Sequence, residues 1–386
     1  MTVGLVKRTR AILNRRCCMF GANQTLQGIG RGLRLFVPLL LFSIFFEPGS
    51  AAAQSVQEKL DQLSRMPAAK RQKFLEEQAI KEGKVVIYSS GEPDVLRDWN
   101  ALFKKKYPQI DSQFVRMTTE DLLQKAIHES EAGRPVADVV NPPAAELAIL
   151  LSKEMLARYV SPESKDFDSE FKDAAGYWTT GWYVPEIVGF NKDLIKERDV
   201  PTTLEALASP ALRGKLGRTQ MGNRWLAGVA KVRGESTAAE LAKKIAAQKP
   251  RIYNSNTALG NALTSGQIGV AFDIHINNVA KLVKQGAPVG MVVPEPMFVY
   301  PQHFAIPKDA PHSYAAALVY DWLISKEGGQ SIYMNRDHIG PRKDTEYPYK
   351  DMIKQAKTVV SYSPTLLTID VVTKYTKIFE DLFIRR

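Results

Sequence analysis

The alternation of short apolar runs with helical patterns is the feature that most constrains this fold. "VVIYSS" (85–90), "SQFVRM" (112–117) and "ADVVNPP" (137–143) have the composition of buried strands. Each is followed by a segment whose apolar residues share one helical face. A βαβαβα order of this kind predicts a parallel sheet with helices on both faces.

A second series of the same kind follows the extended apolar segment "GWYVPEIVGFN" (181–191). "RGKLGRTQ" (213–220) has the pattern of a strand, and a helix follows it. Residues 250–267 and 268–286 each predict a strand, a turn and a helix, and residues 365–384 predict a last packed helix. A chain of 386 residues is long enough for two lobes with a core each.

The N-terminal segment predicts export. Residues 1–34 contain seven Lys or Arg and no acidic residue, residues 35–46 are mostly apolar, and Ala51-x-Ala53 follows. This order is typical of a secretory signal peptide, cleaved near Ala53, with either Met1 or Met19 as the start. Twelve apolar residues are too few for a membrane-spanning helix. We therefore expect a periplasmic protein without membrane insertion.

Charge and cysteine content exclude several classes of function. The formal charge of +11 falls to about +5 once residues 1–53 are removed, so support for nucleic-acid binding is lost. Cys17 and Cys18 both lie in that segment, so we expect no disulfide, thiolate metal site or lipid anchor in the mature chain. No G-x-S-x-G is present, and "HESEAG" lacks the second histidine of a zinc protease. We expect no enzyme and no cofactor.

Small polar residues follow the first strand directly. Ser89, Ser90, Gly91 and Glu92 stand where that strand gives way to a helix beginning near Pro93. Such a turn points free backbone N–H groups at whatever lies in front of it, which favours an anion. The alternative is that Ser90 only caps the helix.

At this point the sequence resembles the solute-binding proteins of bacterial ABC importers. The resemblance is to their two-crossover (type II) class, which includes ferric-ion-binding proteins and the family 1 extracellular branch. It rests on the order and spacing of "KVVIYSSGEPDVLRDWNALFKKKYP", "ADVVNPP", "YVPEIVGFN", "PTTLEALASPALRGKLGRT", "SGQIGVAFDIHINNVAKLVKQG" and "HFAIPKDAPHSYAAALVYDWLISKEGGQSIY".

The resemblance implies an α/β fold of two doubly wound lobes joined by two crossing strands. A small-molecule ligand would be buried between the lobes and delivered to an ABC permease and its ATPase by a monomeric binding protein. The implied parts are a signal peptide (1–53), a helical extension (54–83), lobe 1 (84–187), lobe 2 (188–295) and a return to lobe 1 with C-terminal helices (296–386). The crossings would lie near residues 183–191 and 294–300.

The polar strand-to-helix turns of both lobes would then face the cleft, as ligand sites of open α/β sheets do. The predicted ligand-binding residues are Ser89, Ser90, Gly91, Glu92, Asn141, Arg218, Asn254, Ser255, Asn256, Thr257, Asp273 and His275. Arg218, just past a strand, would clamp an anion, and the alternative is a surface arginine. The amides and hydroxyls of "YNSNTALG" suit a carboxylate or phosphonate but are also helix caps. His275 would share a strand face with Asp273 or be a hydrogen-bonded core histidine.

The resemblance leaves the ligand open. In the ferric branch, iron is held by a histidine, a glutamate and a tyrosine pair, and these positions fall here at Glu92, at or next to Pro143, and near Ile276 and Asn277. We therefore expect an organic anion or zwitterion, such as a carboxylate or phosphonate. The alternatives are Fe(III) on a different set (Glu92, Asp273 and His275), a periplasmic enzyme with Asp273 and His275 as acid and base, and a protein that presents its ligand to a sensor.

Overall fold

This computed structural model describes residues 54–335 and 339–385. These residues contain twelve α-helices and ten β-strands. The predicted signal peptide lies outside these residues. The helices are α1 (Val56–Arg65), α2 (Ala68–Glu82), α3 (Pro93–Lys106), α4 (Thr119–Glu131), α5 (Ala144–Ser152), α6 (Gly222–Arg233), α7 (Glu235–Ala247), α8 (Asn256–Thr264), α9 (Ile276–Lys284), α10 (Ser313–Ile324), α11 (Lys350–Ile353) and α12 (Ile369–Phe379). The strands are β1 (Lys84–Ser89), β2 (Asp111–Arg116), β3 (Val139–Asn141), β4 (Thr179–Asn191), β5 (Leu216–Thr219), β6 (Arg251–Tyr253), β7 (Val270–His275), β8 (Val289–Val292), β9 (Met297–Phe304) and β10 (Val359–Ser361).

The first sheet has the strand order β2-β1-β3, and all its pairs are parallel. Ser89 at the end of β1 pairs with Arg116 on one side and with Asn141 on the other. Because the strands are parallel, their carboxyl ends meet at one edge of the sheet, where Ser89 and Asn141 lie. The parallel sheet predicted for residues 85–143 is confirmed.

The second sheet has the order β10-β9-β4-β7-β5-β6, and β8 pairs with β4. Strand β4 is antiparallel to β7, β8 and β9. The last part of β9 also bridges the first sheet, since Val140 pairs with Ala305 and Pro143 with Gln302. Strands β4 and β9 therefore connect two α/β lobes, and the predicted fold class is confirmed. The residues at which one lobe gives way to the other stay a prediction.

Helices α1 and α2 pack against α10, a helix whose twelve residues are all buried. Arg71 of α2 forms a buried ion pair with Asp321 of α10 over 2.9 Å, and the hydroxyl of Tyr159 donates to the same carboxylate. A helix that is apolar all round needs cover on every side. The N-terminal helices thus form part of the packing of lobe 1. In the described part of the chain, no helix is long and apolar enough to cross a membrane.

Candidate ligand-binding site

The turn after β1 is held by buried hydrogen bonds. Ser89 is fully buried, and its hydroxyl donates to Asn141 Oδ1 over 2.8 Å and accepts from the backbone N–H of Gly91 over 3.0 Å. Asn141 Nδ2 donates in turn to the carbonyl of His303 over 2.8 Å. Ser89 and Asn141 therefore stabilise the conformation of the turn. The side-chain atoms that they would offer a ligand are already hydrogen-bonded within the protein.

Ser90 and Glu92 occupy the outer side of the same turn. Ser90 is half-buried, and its Oγ lies 3.5 Å from Oε1 of Gln302. Glu92, not Ser90, is the N-cap residue of α3, and no side chain caps that helix end, which begins with Pro93. The interpretation of Ser90 as a helix cap is wrong. Glu92 itself makes no side-chain capping hydrogen bond to the start of α3.

The matching turn of lobe 2 has one capping residue and one bridging residue. Ser255 caps α8, since its side chain accepts from the backbone N–H of Ala258 over 3.1 Å. Asn256 Oδ1 accepts from the N–H of His275 over 3.2 Å and ties α8 to the end of β7. Asn254 and Thr257 are exposed. The helix-cap alternative therefore holds for Ser255, and Asn256 and His275, both candidate ligand-binding residues, lie together.

Arg218 lies beneath the site. It is fully buried, its Nη2 donates to Asp273 Oδ2 over 2.7 Å, and its guanidinium lies 5.1 Å from each of three ring centroids. These rings are those of Trp225, Phe272 and Phe379. The prediction that Arg218 opens towards the cleft is wrong, and so is the surface alternative. The physical reason is Asp273, because a buried carboxylate requires a cationic partner and Arg218 is the cation that fits between the aromatic rings.

The backbone directs Asp273 towards this arginine. The register between β4 and β7 shifts between Ile187 and Gly189, and at this irregularity Asp273 has a left-handed φ of 61°. Such bulges are frequent next to functional sites, where they redirect a side chain. Burial first, and then the charge of Glu186, raise the pKa of the Asp273 carboxyl, while Arg218 opposes the shift.

A second buried ion pair was not predicted. Glu186 of β4 accepts from Arg224 Nη2 over 2.8 Å and from the hydroxyl of Tyr362 over 2.8 Å. Burial is the largest single influence and opposes a charged Arg224, but Glu186, Tyr300, Asp273 and Tyr362 together outweigh it and raise the pKa of Arg224. One signal in the sequence pointed here, because Glu186 is the single charged residue of "GWYVPEIVGFN" and every residue of β4 is buried. A lone acid in a buried strand demands a partner.

Tyr300 of β9 connects this pair to the cleft. The guanidinium of Arg224 lies 4.5 Å from the centroid of the Tyr300 ring, and the ring of His275 stacks on Tyr300 at 5.7 Å. His275 Nε2 lies 3.7 Å from Glu186 Oε1. Burial, and secondarily the charges of Glu146 and Glu186, raise the pKa of Tyr300 to about 12, and Arg224 opposes them. The phenol is therefore neutral at physiological pH.

One face of β9 joins the two walls. Tyr300 and Gln302 alternate along the strand and so share a face. Gln302 approaches Ser90 of lobe 1, whereas Tyr300 stacks on His275 of lobe 2. The residues of the candidate site along this face of β9 are thus Ser90, Gln302, Tyr300, His275 and Arg224. The two buried ion pairs, Arg218 with Asp273 and Arg224 with Glu186, adjoin it.

The described residues do not form a metal centre built from His, Cys, Asp and Glu side chains. No group of three or more His, Cys, Asp or Glu in residues 54–335 and 339–385 is arranged to hold a metal ion. The alternative set of Glu92, Asp273 and His275 is therefore not brought together, because Asp273 faces Arg218 and Glu92 lies on the exposed start of α3.

Comparison with known proteins agrees with this geometry. The profile of the family described as bacterial extracellular solute-binding protein matches residues 137–355, more than half of the chain. The chain belongs to this family. A comparison with curated protein sequences found no significant match. The resemblance seen in the sequence is confirmed, and the protein is a bacterial extracellular solute-binding protein.

Solved structures show the same fold at low sequence identity. Iron-bound HitA from Pseudomonas aeruginosa is 18% identical, with a TM-score of 0.67 over 78% of this chain and 99% of its own. AfuA from Actinobacillus pleuropneumoniae with fructose-6-phosphate is 20% identical, with a TM-score of 0.63 over 79% and 99%. IdiA (FutA) from Trichodesmium with iron and citrate is 18% identical, with a TM-score of 0.66 over 78% and 99%. These are type II periplasmic binding proteins, as predicted for this chain.

Proposed function

We propose that this protein captures a small organic anion or zwitterion in the cleft between its two lobes and delivers it to an ABC permease and its ATPase. The observation that carries the proposal is Arg224. Its side chain is held by Glu186 and lies over Tyr300, and its Nε has no hydrogen-bond partner among the described residues. A buried guanidinium N–H without an acceptor is costly, and a ligand carboxylate or phosphonate would satisfy it.

Two helix starts support an anionic ligand. The N-cap residue of α3, Glu92, makes no capping hydrogen bond, and the start of α8 lies beside His275. Helix starts favour negative charge. We propose that these turns lie on opposite walls of one cleft, as the resemblance implies. Cleavage of residues 1–53 and closure of lobe 1 on lobe 2 belong to the same proposal.

Bare Fe(III) is the less favoured ligand. Two of the similar structures contain iron, but the described residues here include no set of three metal-ligating side chains of the His, Cys, Asp and Glu types. An enzyme with Asp273 and His275 as acid and base is also less favoured, because the Asp273 carboxylate is bonded to Arg218 over 2.7 Å. The similar structure with fructose-6-phosphate has an organic anion as its ligand.

Arg224→Lys tests the role of the unpartnered Nε. Lysine keeps the positive charge that Glu186 requires but lacks the planar fork of donors, so it cannot replace Nε. We expect a panel of small carboxylates and phosphonates to contain ligands of the wild-type protein, and Arg224→Lys to lose about 2–5 kcal/mol of their binding free energy. Isothermal titration calorimetry measures the loss.

Arg97→Lys is the matched control, since the Arg97 side chain is 71% exposed on α3. We expect it to bind as the wild type does. Normal anion binding by Arg224→Lys would contradict the role of this arginine. Tight binding of Fe(III) without any organic ligand would contradict the proposed ligand class.

A further inference from the structure

Gln54 becomes the first residue of the mature chain when residues 1–53 are removed, as proposed above. A glutamine at the start of a chain has a reaction that an internal glutamine lacks, because its free α-amine can attack its own side-chain amide. Gln54 is exposed, and it is the single residue between Ala53 and Ser55, the N-cap residue of α1. Its reactivity therefore depends on whether the fold holds either of the two reacting groups.

The fold does not hold the side chain of Gln54. This side chain makes no hydrogen bond or ion pair with residues 54–335 or 339–385. Gln57 behaves differently, since its Oε1 accepts from the backbone N–H of Arg158 over 2.9 Å and its Nε2 donates to the Arg158 carbonyl over 3.1 Å. Helix α1 is thus fixed to lobe 1 by residues after Gln54, and a reaction at Gln54 leaves these contacts intact.

The capping box at the start of α1 is compatible with the reaction. The Ser55 hydroxyl accepts from the backbone N–H of Glu58 over 3.2 Å, and the Glu58 carboxylate accepts from the N–H of Ser55 over 2.7 Å. Cyclisation changes neither the peptide bond between Gln54 and Ser55 nor the N–H of that bond. Both capping hydrogen bonds are therefore kept.

The charge of the helix start favours the cyclised form of Gln54. The first turn of a helix has a positive partial charge, which repels an ammonium group placed one residue before the N-cap. Blocking an N-terminus covalently removes its charge. A cyclised Gln54 therefore stabilises the first turn of α1 relative to a free α-ammonium group.

We infer that Gln54 is a modification site, at which the α-amine cyclises onto the side chain so that the mature chain begins with a pyroglutamyl residue. The bond between the α-nitrogen and Cδ forms, and the bond between Cδ and Nε2 breaks. One proton of the α-amine leaves with Nε2 as ammonia, so no co-reactant is consumed. This inference goes beyond ligand binding and rests on the proposed cleavage after Ala53.

Mass spectrometry and Edman degradation of the mature protein test the inference. The full-length chain is expressed in a bacterial host and purified from the periplasm. We expect an intact mass that corresponds to a start at Gln54 less one ammonia, and no Edman sequence. Pyroglutamyl aminopeptidase should then expose a sequence that begins at Ser55. Gln54→Ala is the matched control, because alanine has no side-chain amide and its N-terminus should be read directly.

Hydrogen exchange measures the effect of the modification on α1. At neutral pH, the free ammonium group of Gln54→Ala should speed exchange of the α1 amides by about two- to fivefold relative to the cyclised protein. The amides of α12 serve as the internal control and should exchange alike in both proteins. Equal exchange of α1 in the two proteins would contradict the stabilisation of its first turn.

The outcomes separate this inference from the proposed function. A mature chain that begins at Gln54 with a free α-amine would overturn the modification, while ligand binding in the cleft stands. A mature chain that begins at any other residue would overturn both the modification and the proposed cleavage site. A blocked Gln54 in a protein that binds none of the carboxylates and phosphonates of the panel would support the modification and contradict the proposed ligand class.

Discussion

Arg218 and Arg224 are close in sequence but serve the site differently. Arg218 is enclosed by three aromatic rings and bonded to Asp273, so it stabilises the buried interior of lobe 2. Arg224 is bonded to Glu186 and lies over Tyr300, and its Nε, like Nη1 of Arg218, has no hydrogen-bond partner among the described residues. Sequence alone did not separate them, because which arginine meets which carboxylate depends on how β4, β5 and β7 are placed side by side. The local pattern of each strand contains no such information.

His312 provides a prediction on the pH dependence of stability. Its Nδ1 lies 3.0 Å from Asp138 Oδ2, and the hydrogen bond to that carboxylate is the main cause of the raised pKa of His312. Since the folded-state pKa lies above the unfolded value of about 6.5, the stabilisation is fully present below that pH. It is lost as pH rises through the folded-state pKa. Urea unfolding between mildly acidic and alkaline pH should show this decrease.

His312→Gln should unfold with a free energy that no longer falls over this range. The glutamine retains a donor for Asp138 but has no charge to lose. His128→Gln is the control, because His128 is exposed on α4 and should leave the pH profile unchanged. An identical pH profile for His312→Gln and the wild type would contradict the assignment.

At the scale of elements, one buried charge pair adds to the apolar packing of the N-terminal helices on α10. Asp321→Asn leaves Arg71 without a counter-charge and should reduce the free energy of unfolding by about 3–5 kcal/mol. Glu235 forms a surface ion pair with Lys374, and its side chain is 71% exposed. Glu235→Gln removes this pair and should lower the free energy of unfolding by less than about 1 kcal/mol. Urea denaturation followed by circular dichroism compares the two.

A double replacement sharpens this test. Arg71→Met combined with Asp321→Leu removes both charges from the contact between α2 and α10, and should recover much of the stability that Asp321→Asn loses. A loss no larger for Asp321→Asn than for Glu235→Gln would show that α2 is not anchored by this pair.

The elements themselves were largely predictable from the sequence. The strands that became β1, β2 and β3, the start of α3 at Pro93, and the last helix follow from apolar spacing and from where proline and glycine stand. Helix α7 was not predicted. The site was less predictable, because Glu186 and Tyr300 come together only once β4 and β9 pair. The contact between Asn256 and His275 could have been predicted, since Asn256 begins α8 and His275 ends β7, the next element in the chain.

At the scale of the molecule, β4 and β9 are the links about which two lobes can rotate. Helix α12 contacts α6 of lobe 2 and α5 of lobe 1, so opening of the cleft must alter one of these contacts. In the proposed function, a ligand held between the lobes against Arg224 would favour the closed form by the binding free energy it gains there.

Small-angle X-ray scattering tests this account most directly. The protein is purified, its bound small molecules are released by unfolding and identified by mass spectrometry, and scattering from the refolded protein is measured with and without them. The account predicts an organic zwitterion or anion among the released molecules, a smaller radius of gyration when it is returned at saturation, and no such decrease for Arg224→Lys at the same concentration. Unchanged dimensions of the wild-type protein at saturation, or compaction by Fe(III) alone, would contradict it.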